Sequence, residues 1–349
     1  MLHGLDGGKL WMSEFDITRN AGSQERYERA FRDEMPKRQA LYDLLRTADP
    51  AFHGLTAFVN VPDCLSDSVK PKTLGYATGL DDVFAPMGFP CNYARAGLRH
   101  PHDVYVLAKN SVDLLSDDEL AKVLSHRVYV DSQGAKALVA RGFGADLCAR
   151  VSDYAPGETF EREVFADGEE VPLQSDATNV RLEAENGAET LSRFVRIDAG
   201  SGARVELGAG LTLGTNRRGG RVMVAGWTYD CQGWNRWNKY MRPVRKERLV
   251  KAIDRLAGGV LPYVCIENNY AQSSYATLAD GSELVVATNL CDDDWDGLAL
   301  RRGAPPAAAK RLDDDGEWRP VQFEWKNDVV TFRTGTVRQL APQILRIWP

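Results

Sequence analysis

The 349-residue sequence has no run of 18 apolar residues and no signal-peptide pattern, so neither a membrane span nor export is indicated. Its six cysteines, at 64, 91, 148, 231, 265 and 291, include no close pair. That spacing excludes a ribbon-type zinc site and gives no disulfide scaffold, so the thiols are read as buried and reduced in a cytoplasmic protein. The only close histidine pair, His100 and His102, has no third ligand at a plausible spacing and reads as a polar loop. No metal is expected. Phosphate-binding patterns are also missing: no Gly-x-Gly-x-x-Gly follows a strand and no Gly-x-x-x-x-Gly-Lys-Ser/Thr occurs. No nucleophile elbow, Gly-x-Ser-x-Gly or Gly-x-Cys-x-Gly, is present either, and no cofactor is expected. A concentrated basic face is lacking too. The 43 basic and 49 acidic residues give a net charge of −6, and the densest basic stretch, Arg236 to Arg255, carries Glu247 and Asp254. It reads as a solvated helix face, which argues against a nucleic-acid partner.

What is present is an ordinary soluble composition, 44% hydrophobic and 26% charged. Its length suits two or three domains. Leu10, Met12, Glu14 and Asp16 share one face of an opening strand over Gly7 to Thr18, and Trp11, Ser13, Phe15 and Ile17 share the other. A helix over Ser23 to Ala48, interrupted at Pro36, completes one βα unit. An acid at the carboxyl end of a strand feeding a helix is the catalytic geometry of a (β/α)₈ barrel. A surface strand with incidental acids is the plainer alternative. The chain reaches this strand within ten residues of Met1, with no earlier element for it to pair with, which reads as an internal cut.

From Gly54 the pattern becomes strands alternating with helices. Leu55 to Val61 is a nearly continuous apolar run, as in a strand covered on both faces. A helix over Leu74 to Met87, a short strand at Cys91 to Ala94 and a stronger one at Asp103 to Ala108 follow. Ser116-Asp117-Asp118-Glu119 is a capping box, Arg127 to Asp131 a strand and Ser132 to Arg141 a helix. The succession predicts a doubly wound, flavodoxin-like sheet. Its strand ends carry Asn60, Lys109-Asn110 and Asp131-Ser132, without catalytic motifs, so the sheet reads as non-catalytic.

Residues 157 to 206 turn to short acidic β pieces, an insertion or edge-hairpin region. Leu211 to Trp227 is a hairpin around a Gly-rich turn, and a helix from Pro243 to Leu256 stops at Gly258-Gly259. Trp227, Tyr229, Trp234, Trp237 and Tyr240 form an aromatic cluster, read as packing at a domain junction in preference to a sugar platform. From Tyr263 onward the chain reads all-β, with strands at Glu283 to Thr288, Trp318 to Trp325, Val329 to Arg333 and Gln343 to Ile347. Turns fall at Asp280-Gly281, Asp315-Gly316 and Asn327-Asp328, and a small β-sandwich results. Asn289 to Asp294 lacks the EF-hand pattern and reads as an acidic turn.

Gly8-Lys9-Leu10-Trp11-Met12, Asp103 to Ala108, Leu114 to Leu120, Val128 to Asp131, Gly220 to Trp227 and Leu284 to Leu290 carry a resemblance of pattern and order. In that order the chain resembles a glycoside hydrolase with β-galactosidase-like architecture: a catalytic (β/α)₈ barrel, a glutamine-amidotransferase-like trimerisation domain and a C-terminal β domain. The resemblance implies a barrel remnant at 1–50, a flavodoxin-like domain at 51–258 with a β-rich insertion at about 157–206, and a β-sandwich at 259–349. It implies retaining hydrolysis by two carboxylates, a carbohydrate substrate and self-association. The opening strand is then the eighth of the barrel, so the acid/base after the fourth strand is absent. Glu14 is the catalytic candidate, with a pocket-lining role as the alternative. Trp11, Asp16 and Asn60 are candidates to contact substrate. A C-terminal portion inactive on its own is the expectation, against a complete non-catalytic oligomerisation or carbohydrate-contacting protein. An amidotransferase-like or flavodoxin-like enzyme is disfavoured by the missing nucleophile and phosphate loop.

Overall fold

A computed structural model describes residues 32–33, 39–48, 50–58, 84–94, 104–173, 175, 178–228, 242–266 and 270–349. The opening strand and most of the helix read over 23–48 lie outside the described residues. The described part of that helix is α1, Gln39–Thr47, and β1, Ala51–His53, follows it. Next come β2 (Leu55–Phe58), β3 (Met87–Ala94), β4 (Val104–Leu107), α2 (Lys109–Leu114), α3 (Asp117–Val123), β5 (Arg127–Val130) and α4 (Ser132–Ala140). The capping box forms as read: the Ser116 hydroxyl accepts from the Glu119 amide, and the Glu119 carboxylate accepts from the Ser116 amide at 2.8 Å.

β6 (Ala149–Ser152), β7 (Arg162–Phe165), β8 (Glu170–Pro172), β9 (Arg181–Ala184) and β10 (Glu189–Ile197) make up the β-rich stretch. β11 (Arg204–Thr215) and β12 (Arg221–Ala225) are the expected hairpin, and α5, Pro243–Ala257, ends at Gly258.

β3, β2, β4, β5 and β12 lie side by side in that order, every neighbouring pair parallel. Numbered by their sequence among themselves, the order is second, first, third, fourth, fifth. β11 then pairs antiparallel with β12, β10 with β11, β7 with β10 and β8 with β7, while β9 reaches β11 and β6 reaches β9.

Alternate residues of the parallel strands serve opposite layers. Phe58, Tyr105, Leu107, Val128, Val130, Val222 and Val224 pack with Val112, Leu120, Val123, Ala135 and Leu138 of α2, α3 and α4. Leu55, Ala57, Val104, Val106, Tyr129, Met223 and Ala225 pack with Leu249, Ala252, Ile253 and Leu256 of α5. Both faces are therefore apolar, which is why these strands read as unbroken hydrophobic runs.

The C-terminal part holds β13 (Ala271–Thr277), β14 (Glu283–Asn289), β15 (Trp295–Arg301), β16 (Ala308–Leu312), β17 (Trp318–Pro320), β18 (Phe323–Lys326), β19 (Val329–Val337) and β20 (Pro342–Trp348). β1, β13, β14, β20, β16 and β17 form antiparallel neighbours in that order. β15, β19 and β18 form a separate three-stranded sheet, packed on the first through Val285, Leu345, Ile347, Leu298, Leu300 and Phe332. Asn327 and Asp328, with φ of +52° and +61°, make the two-residue turn between β18 and β19. The other side of the first sheet is covered by α1, whose Leu41 packs with Leu284, Leu312 and Ile344.

Boundaries differ from the sequence reading at two places: the strand expected over Trp318 to Trp325 is two, β17 and β18, in different sheets, and the segment ahead of Cys91 is extended. The helix expected over Leu74 to Met87 lies outside the described residues up to 83, and Met87 opens a strand that starts four residues before Cys91. Non-local pairing decides this. Met87 pairs in parallel with Ala271, the Gly88 carbonyl accepts from the Cys265 amide at 2.9 Å, and Gly88 at φ +80° leaves no room for a Cβ beside Cys265. β3 thereby joins both strand systems, and among the described residues seventeen strands form one mixed sheet.

Candidate functional site

Glu14, Trp11, Asp16 and Asn60 all lie outside the described residues, as do His100, His102, Tyr229, Trp234, Trp237 and Tyr240. Among the described residues no group of three or more His, Cys, Asp or Glu is placed to hold a metal ion. Cys148, Cys265 and Cys291 are free thiols, and no described helix is long and apolar enough to cross a membrane.

The strand ends named from the sequence can be followed at Asp131, which caps the N-terminus of α4 directly after β5. Its carboxyl accepts from the Gly134 amide at 2.6 Å and from the Thr228 hydroxyl. Burial pushes this carboxyl up to about 6, against the lowering effect of those hydrogen bonds. A raised carboxyl at a sheet's carboxyl edge invites a catalytic reading. Here the group is only 3% exposed and both oxygens are engaged, so it works as a fastener. The same edge is stitched further: the Ser132 hydroxyl and the Gln133 amide donate to the Thr178 carbonyl at 2.6 and 3.0 Å, and the Ser132 amide donates to the Trp227 carbonyl at 3.2 Å.

Beside this edge opens a polar cleft of about 530 Å³ that the sequence reading missed. Lys136 of α4, Asp153, Glu158, Ser175 and Asn179 are its polar lining residues, and Tyr154 lines it as well. Lys136 pairs with Asp153 at 2.5 Å, and Glu158 with Arg181 at 3.6 Å. Ala155-Pro156-Gly157-Glu158 forms the rim turn, closed by the Glu158 amide on the Ala155 carbonyl at 2.9 Å. Gly157, at φ +81°, takes the left-handed position such a Pro-Gly turn needs. The Glu158 carboxylate accepts in turn from the Ala155 amide at 3.3 Å. The Tyr154 hydroxyl is shielded from solvent, finds no hydrogen-bond partner among the described residues, and is pushed up in pKa by burial. The signal for this site was Asp-Tyr-Ala-Pro-Gly-Glu: an aromatic and two acids around a Pro-Gly turn.

On the α5 face of the sheet, Arg245 is wholly buried, 2.6 Å from the equally buried Glu163, and its guanidinium lies 5.4 Å from the Trp227 ring. Glu163 also accepts from the Ser192 hydroxyl at 2.6 Å. Trp227 has no exposed surface and sits 6.2 Å from Tyr129, which makes it a packing residue.

No protein-family model matches the chain, and neither does any curated protein sequence. Among solved structures the chain is similar to α-L-fucosidase isoenzyme 2 from Paenibacillus thiaminolyticus, with a TM-score of 0.57 and 12% identity over 88% of this chain and 51% of that one. The chain thus spans about half the length of that enzyme. The rhamnosidase from Novosphingobium sp. PP1Y gives a TM-score of 0.38 and 10% identity over 88% of this chain and 23% of its own, too low to define a shared fold. The likeness is one of fold: among the described residues a large mixed sheet, few helices and a small separate β-sheet.

Proposed function

We propose that this chain is the C-terminal, non-catalytic portion of a glycoside hydrolase of β-galactosidase-like architecture. In this reading 1–50 completes a catalytic barrel, 51–258 is a flavodoxin-like domain of the amidotransferase-related kind that drives self-association, and 259–349 is a terminal β-sandwich. The observation that carries it is the parallel strand order, second-first-third-fourth-fifth, combined with the sealed carboxyl at Asp131. That order is what a flavodoxin-like sheet would have, and it supports the reading; in such sheets ligands bind outside the carboxyl ends of the strands. An α/β unit retaining the architecture with that edge fastened shut suits a scaffold better than an enzyme. The likeness in fold to about half of the fucosidase chain supports placing the scaffold in a glycoside hydrolase.

Retaining hydrolysis then belongs to the longer enzyme and needs a carboxylate pair about 5–5.5 Å apart. Glu14, Trp11, Asp16 and Asn60 are proposed to line its sugar pocket, and the protein is proposed to work in the cytoplasm, in keeping with the free thiols of Cys148, Cys265 and Cys291. Aryl-glycoside hydrolysis, compared between this chain and the chain extended by the sequence ahead of Met1, tests the reading. The extended chain cleaves at least one glycoside and the shorter chain none.

A further inference from the structure

We draw no further inference here: the strongest candidate, the neighbouring arginines Arg127 and Arg221 at the amino edge of the parallel sheet, lies against the C-terminal end of α5, whose negative pole accounts for the positive charge, and no second observation points to an anion there.

Discussion

The Thr228 hydroxyl donates to the buried carboxyl of Asp131, tying the segment after β12 to the N-terminal cap of α4. Both residues follow parallel strands that neighbour each other in the sheet, so one hydrogen bond fixes two strand ends and a helix start. The arrangement has a pH signature. The Asp131 carboxyl holds its proton up to about 6 in the folded chain, against about 3.9 when unfolded. The folded state therefore binds the extra proton, and the stability it confers is complete below about pH 4 and lost as pH rises through about 6. Asp131→Asn keeps an acceptor for Gly134 and a polar partner for Thr228 without the charge. Urea unfolding from pH 4.5 to 8 should show wild type losing about 2 kcal/mol relative to this variant. Parallel profiles would contradict the assignment.

Glu163 and Arg245 join the edge region to α5 within the core, where neither can reach water. Removing one partner strands the other charge. Glu163→Ala should cost about 3–5 kcal/mol in denaturant unfolding. Adding Arg245→Met to that variant should recover a large part of the loss, because the uncompensated charge is then gone. A double variant as unstable as the sum of the singles would refute a coupled pair.

Asp146 has the opposite pH sign to Asp131. Burial pushes its carboxyl up, but hydrogen bonds from Arg217 and Arg218 outweigh that and hold it below the usual range. It grips the turn between β11 and β12, whose Asn216 amide also donates to the Leu124 and Asp146 carbonyls at 2.8 and 3.2 Å. Its stabilisation is present at neutral pH and lost as pH falls through the lowered value. Because Arg217 is largely exposed, Asp146→Asn should cost only about 1–2 kcal/mol at pH 7, and the gap to wild type should close in acid. An unchanged gap across the acid range in thermal unfolding would rule this out.

Periodicity and capping made much of the fold legible. The capping box at Ser116, the Asp131-Ser132 start of α4, the β11–β12 hairpin and α5 follow from local chemistry that any context would favour. The first half of β3 was not legible, because Met87 to Pro90 is a strand only by virtue of Ala271 and Ser273, nearly two hundred residues away. β13, β15 and β16 escaped for a similar reason. Ala271-Gln272-Ser273-Ser274 and Ala308-Ala309-Lys310 carry little intrinsic β preference and are held by register with stronger neighbours. The cleft was hidden because Lys136 and Glu158 stand on different elements, and no single stretch brings a helix lysine to a turn carboxylate. Glu14 and its companions lie outside the described residues, so their role stays a proposal.

The most direct measurement is hydrolysis of an aryl-glycoside panel that includes an α-L-fucoside and a β-D-galactoside. It is run on the purified 349-residue chain and on the chain extended by the sequence encoded ahead of Met1. The scaffold account predicts no turnover by the shorter chain and turnover of at least one glycoside, with retained configuration, by the extended one. Turnover by the 349-residue chain alone, or none by an extended chain that carries a complete barrel, would contradict it.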